Sequence, residues 1–108
     1  MAEELPAMAG NKIIVRVDAE LEALVPGYLG NRRRDVGALR EALAAEDYET
    51  IRVLGHSMKG TGGGYGFAAI TEMGRALEAA AKTGDPNEVR RWIGELSAYL
   101  ERVEIVYR

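Results

Sequence analysis

A single histidine, His56, stands in the stretch LGHSMKGTGGGYGF, residues 54–67, with Lys59 three residues after it and Gly60 four after it. A neutral imidazole has one bare ring nitrogen, and at neutral pH a substantial fraction of exposed histidines is in that form and free to act as a nucleophile. An ammonium one helical turn away stabilises negative charge on a transferring group. The simplest chemistry for this pair is to accept and carry an anion, a phosphoryl group above all. The glycines beyond it strip side chains from the surface that another protein would have to approach.

The helix that carries this stretch must aim the ring outward. Asp47 is a plausible N-cap. At about 100° per residue, Ile51, Leu54 and Met58 fall within about 60° of one direction, which is the core side, and Gly55 shares that sector. A missing side chain at Gly55 lets a neighbouring helix come close. His56 lies about 140° from Ile51 and so faces solvent, with Arg52 one turn before it and Gly60 and Gly63 in successive turns after it. Lys59 flanks that stripe. Arg52 reads either as a partner contact or as a solvated arginine. A lone exposed histidine and a glycine run are also what an ordinary surface helix with its C-terminal turn would show, so spacing alone leaves both readings open.

Other chemistries fit less well. The run lacks the lysine followed by Ser or Thr of a nucleotide-binding P-loop, and G-x-G-x-x-G fails because Tyr65 or Phe67 occupies the last glycine position. Ser57 adjoins His56 on a different helix face, which argues against a serine-hydrolase arrangement. With no cysteine and one histidine, thiolate sites, disulfides and a multi-histidine zinc site within one chain are excluded. Gly62 to Gly64 offer a backbone anion nest, although a plain flexible turn is the simpler expectation. Trp92 and the tyrosines fall mostly on apolar stripes and read as core. Tyr65 fits either the loop or a partner surface.

The 108 residues suit one domain. With 47% hydrophobic and 29% charged residues the composition is that of a soluble globular protein. A net charge of -3 argues against nucleic acid despite Arg32, Arg33 and Arg34, which read as a solvated face or a docking patch. The opening residues, MAEELPAMAGNK, lack the basic and apolar regions of a signal peptide. No segment approaches the roughly 18 apolar residues of a membrane span. A cytoplasmic protein without membrane insertion is expected.

Residues 1–17 are expected to be a flexible or extended lead-in and residues 18–108 the folded domain. Lys12 to Val17 is short and β-branched, but a lone strand has no partner, so no real sheet is expected. From Asp18, a plausible N-cap, the pattern is helical. Leu21, Leu24, Val25, Tyr28 and Leu29 mark a short first helix, with Pro26 as a kink or break. Val36, Leu39 and Leu43 mark a second. Phe67, Ile70, Met73 and Leu77 mark another, closed by Gly84. In DPNE, Asp85 is the N-cap, Pro86 the first helical residue and Glu88 the capping-box partner. The last helix is expected to bury Val89, Trp92, Ile93, Leu96, Leu100 and Val103 and to run nearly to the end. The predicted fold is all-α: an antiparallel up-down four-helix bundle with a short N-terminal helix and an extended lead-in.

The stretch resembles the histidine-containing phosphotransfer (HPt) domain, whose pattern is matched by His56, Met58, Lys59, Gly60 and Gly66, with Met58 where leucine is more usual. GYGF, Gly64 to Phe67, is also similar to the phosphoacceptor domain of chemotaxis histidine kinases. REALAAEDYETIRVLGHSMKG, Arg40 to Gly60, resembles the helix, acidic turn and helix that precede the histidine in such domains. The resemblance covers roughly residues 27 to 108 and implies a phosphoryl carrier. His56 would be the phosphorylated nucleophile and Lys59 its electrostatic helper. Gly60 would give clearance for the partner, and Gly66 would shape the turn into the next helix. The implied partners are an upstream sensor histidine kinase and a response-regulator receiver domain. The Mg²⁺ of such transfers belongs to the receiver, so no cofactor or metal is expected here, and no autonomous ATP-dependent kinase activity. A monomer is expected. The alternative is a non-catalytic helical interaction module that does not use the histidine. A third reading is a phosphoacceptor domain from a larger sensor or chemotaxis kinase.

Overall fold

The computed structural model describes residues 12–108. Four helices make the body: α1 (Val25–Ala44), α2 (Tyr48–Thr61), α3 (Ala68–Thr83) and α4 (Pro86–Arg102). Connections of only a few residues force successive helices to run antiparallel. Contacts run α1 to α2, α2 to α3, α3 to α4 and α4 back to α1, which closes the four into an up-down bundle. Its centre holds Leu39, Ile51, Met58, Phe67, Ile70, Leu77, Val89 and Leu96, all buried. The expected all-α bundle is the observed fold.

Local chemistry explains the helix ends. Asp47 accepts from the Thr50 N–H at 3.1 Å, and Asp85 accepts from the N–H groups of Asn87 and Glu88. At the end of α3, Gly84 takes a left-handed φ of 65°, and the N–H groups of Gly84 and Asp85 bond back to Ala81 and Ala80. The end of α1 closes the same way, with Glu46 rather than glycine at the left-handed position. The reciprocal half of the expected capping box is not made: the Glu88 carboxylate instead accepts from the Trp92 indole N–H at 3.2 Å.

Three expectations about where helices begin and end need correction. Pro26 does not break a helix; it lies in the first turn of α1, where its missing N–H leaves no bond unmade. The short helix before it is one 3-10 turn, Ala19–Leu21, capped by Asp18. The last helix stops at Arg102, and Val103 begins a strand rather than continuing it.

That strand, β2 (Val103–Tyr107), pairs in parallel with β1 (Ile13–Val17), Ile13 opposite Val103 and Val17 opposite Tyr107. A small sheet therefore exists where none was expected. A strand at one end of a sequence shows no partner at the other end, and the whole bundle serves as the crossover that parallel strands require. Alternate residues of each strand lean on the helices and Val17 is buried. The expected lead-in thus contains β1; its residues 1–11 lie outside the described residues.

Candidate functional site

His56 sits in the last two turns of α2 with 65% of its side chain exposed. Its outward aim follows from the burial of Ile51, Gly55 and Met58 on the opposite side of the helix. The Nδ1 atom lies 3.1 Å from Oε2 of Glu78 on α3. Lys59 places its Nζ 2.9 Å from Oε1 of the same carboxylate. Glu78 therefore ties the histidine and the lysine together, one to each oxygen, while its own side chain is only 9% exposed.

The Glu78 carboxyl is held below the ordinary glutamate range, chiefly by the hydrogen bond from Lys59; burial opposes this, and the His56 bond adds to it. An ionised carboxylate only accepts. The proton between the two residues therefore belongs to Nδ1 of His56, and in the neutral ring Nε2 is the bare nitrogen. The same bond fixes the plane of the ring.

A close approach of two helices makes this possible. Gly55 of α2 lies against Gly74 of α3, and a Cβ at Gly74 would fall 2.6 Å from both the Gly55 carbonyl oxygen and the Lys59 amide nitrogen. With side chains there, α3 would stand further off and Glu78, one turn after Gly74, would no longer reach His56.

The glycine run is ordered. Gly62 is packed so tightly that a Cβ would lie 2.7 Å from the Thr71 amide nitrogen. A 3-10 turn follows at Gly63–Tyr65, and the Gly63 N–H donates to Thr71 Oγ1 at 2.8 Å. This is a built turn rather than the loose one expected. Gly66 closes it with φ 94°, a conformation suited to glycine, facing Val17 of β1. Tyr65 stacks on Tyr28 of α1 with ring centroids 4.3 Å apart, and the Tyr28 hydroxyl bonds Thr61 Oγ1 at 3.1 Å. Tyr65 therefore belongs to the inner side of the turn.

Among the other sequence candidates, Gly60 is exposed with open space where a Cβ would be, and Gly63 is exposed. Arg52 is held by Glu49, its Nε and Nη2 on the two carboxylate oxygens at 3.0 and 2.6 Å. Arg32 bonds Asp35 at 2.8 Å and lies over the Tyr28 ring. Two residues escaped sequence reasoning. Val53, one turn before His56, is an exposed apolar side chain on the same flank. Glu78 carried a signal: a carboxylate directly after core residue Leu77 and one turn after Gly74, in a stripe that is otherwise apolar.

A family model described as Hpt domain matches residues 23–105. The chain belongs to the Hpt domain family. As an Hpt domain it has a histidine phosphotransfer role in a phosphorelay. The chain is similar to the aerobic respiration control sensor protein ArcB of Escherichia coli strain K12, with 28% identity over 96 residues, covering 89% of this chain. The ArcB of Shigella flexneri matches to the same extent. The chain spans 11% of the length of these curated relatives. No solved structure matches it. Hpt domains work with sensor kinases and response-regulator receivers. Among the described residues no helix is long and apolar enough to cross a membrane, and no group of three or more His, Cys, Asp or Glu side chains is placed to hold a metal ion.

Proposed function

We propose that His56 is the phosphoryl carrier of this Hpt domain, taking the group from a receiver aspartyl phosphate or a kinase and passing it to a response-regulator receiver. The observation that carries this reading is the shared Glu78 carboxylate, which orients His56 through Nδ1 and holds Lys59 beside it. The Nε2 lone pair attacks phosphorus as the phosphorus–oxygen bond to the donor's carboxylate breaks, and that oxygen leaves with the bonding pair. The ring, now bonded to phosphorus, keeps its Nδ1 proton and gains positive charge, which Glu78 offsets. Lys59 offsets the charge on the phosphoryl oxygens. The onward step is the reverse: a receiver aspartate attacks, the nitrogen–phosphorus bond breaks and its electron pair returns to Nε2.

Gly60 and Gly63 keep the approach to His56 low, and Val53 and Arg52 supply the contact surface beside it. Mg²⁺ is provided by the receiver and no cofactor is bound here. Lys59 aids the transferring group without any nucleotide site, so the domain does not phosphorylate itself from ATP. It acts as a monomer in the cytoplasm. A second reading, the carrier segment of a longer sensor kinase, is favoured by a match that covers only 11% of ArcB.

The test is phosphoryl transfer from a receiver charged with a small phosphodonor, comparing the wild type with His56→Gln. The expected label survives base, is lost in acid and is absent from the variant. A labelled His56→Gln protein would overturn the assignment, and a wild type that no receiver or kinase of the same cell can label would favour a docking module.

A further inference from the structure

Glu78 has a third partner. Lys82 lies one turn after it on α3, with Nζ 3.9 Å from Oε2, the oxygen that accepts from His56. That separation is an ion pair but not a hydrogen bond. The Lys82 side chain is 62% exposed while that of Glu78 is 9% exposed, so a movable ammonium stands beside a fixed, enclosed carboxylate.

In the unphosphorylated protein Lys59 satisfies Glu78 at 2.9 Å and Lys82 is spare. A phosphoryl group on His56 adds a charge of about −1.5 to −2 at the same place. Glu78 and the phosphoryl oxygens then compete for the single ammonium of Lys59. An enclosed carboxylate left without a cation gains a proton more easily and weakens as the acceptor for Nδ1–H. Arg52 feels Glu78 at longer range but is held on both sides of its fork by Glu49. His56, Lys59 and Arg52 are the titratable and charged groups reaching Glu78 from α2, and Lys82 is the one from α3.

We propose that Lys82 is a positioning residue for the phosphorylated state. It closes on Glu78 when Lys59 turns to the phosphoryl group, and so keeps Glu78 ionised and bonded to the ring. The inference rests on His56 being the carrier.

The test phosphorylates the intact chain with phosphoramidate and follows loss of the label against pH in the wild type, Lys82→Gln, Lys82→Arg and His56→Gln. Arg75→Gln removes a different exposed cation of α3 as a control. In Lys82→Gln the half-life of the label should rise about two- to fivefold, the scale of a partly exposed ion pair. The pH profile of loss should also move to lower pH, because a Glu78 that takes up a proton no longer supports the protonated, labile form of the phosphorylated ring. Lys82→Arg should restore both, and Arg75→Gln should change neither. A role for Lys82 only as a basic residue in the last turn of α3 would shift stability but not the profile. A Lys82→Gln profile that overlays the wild type, with His56→Gln unlabelled, overturns the inference and leaves the carrier assignment standing. Label persisting in His56→Gln removes both.

Discussion

Gly55 and Gly74 face one another across α2 and α3 so closely that a Cβ on either would lie within 2.8 Å of the other's carbonyl oxygen. Since neither backbone can yield without moving its helix, substitution at either position separates the pair. Gly55→Ala and Gly74→Ala should each destabilise the fold by about 1–3 kcal/mol, the usual cost of overpacking, despite alanine's better helix propensity. Denaturant unfolding would measure this. The same variants should slow phosphoryl transfer, because Glu78 would be carried away from His56.

Gly60 offers the opposite case. It also lies within α2, but a Cβ there meets nothing within 4 Å. Gly60→Ala should stabilise the domain by up to about 1 kcal/mol through helix propensity. A bulky residue, Gly60→Trp, should leave folding intact and lower the transfer rate to a receiver, while labelling by a small phosphodonor is spared. Parallel thermal melts and transfer rates check both halves.

Glu78 links stability to pH. Its carboxyl is depressed from the usual 4.5, first by the Lys59 hydrogen bond. A depressed pKa contributes stability above the unfolded value, and that contribution is lost as pH falls through the folded value. Glu78→Gln should therefore be less stable than the wild type at neutral pH, with the difference closing below about pH 4.5. Acid titration of unfolding midpoints would show it. Glu78→Ala should in addition slow transfer by about tenfold, as losing the partner that orients a histidine commonly does.

Tyr99 titrates on the alkaline side. Burial, with a smaller contribution from Tyr28, raises its phenol to about 12. A raised folded pKa means that stability is fully present below the ordinary value of 10 and is lost as pH rises through the folded value. Absorbance titration should show one of the five tyrosines ionising last, near the alkaline unfolding transition. Tyr99→Phe should remove that step.

The helices were legible in the sequence because each buries a stripe at helical spacing, and Asp47, Gly84 and Asp85 mark three of their ends by local chemistry. The outward aim of His56 and the close packing at Gly55 followed from the same geometry. The rest depended on residues far apart in the chain. β1 and β2 recognise each other from opposite ends of the described fold. Glu78 matters because of what α2 places above it, which periodicity along α3 does not reveal. Pro26 was misread because a proline that opens a helix and one that interrupts it look alike when the turns before it also carry apolar residues.

The parallel pairing of β1 with β2 has a mechanical consequence. Chain enters the ribbon at Ile13 and leaves it at Tyr107, at opposite ends of two strands running side by side. Tension applied to the chain before Ile13 and after Tyr107 draws the strands past one another, so their backbone bonds are loaded in shear together rather than unzipped in turn. The bonds between Val17 and Arg108 and between Arg108 and Ala19 extend that seam. Two short strands thus shield the four helices, and the histidine they carry, from forces transmitted along the polypeptide.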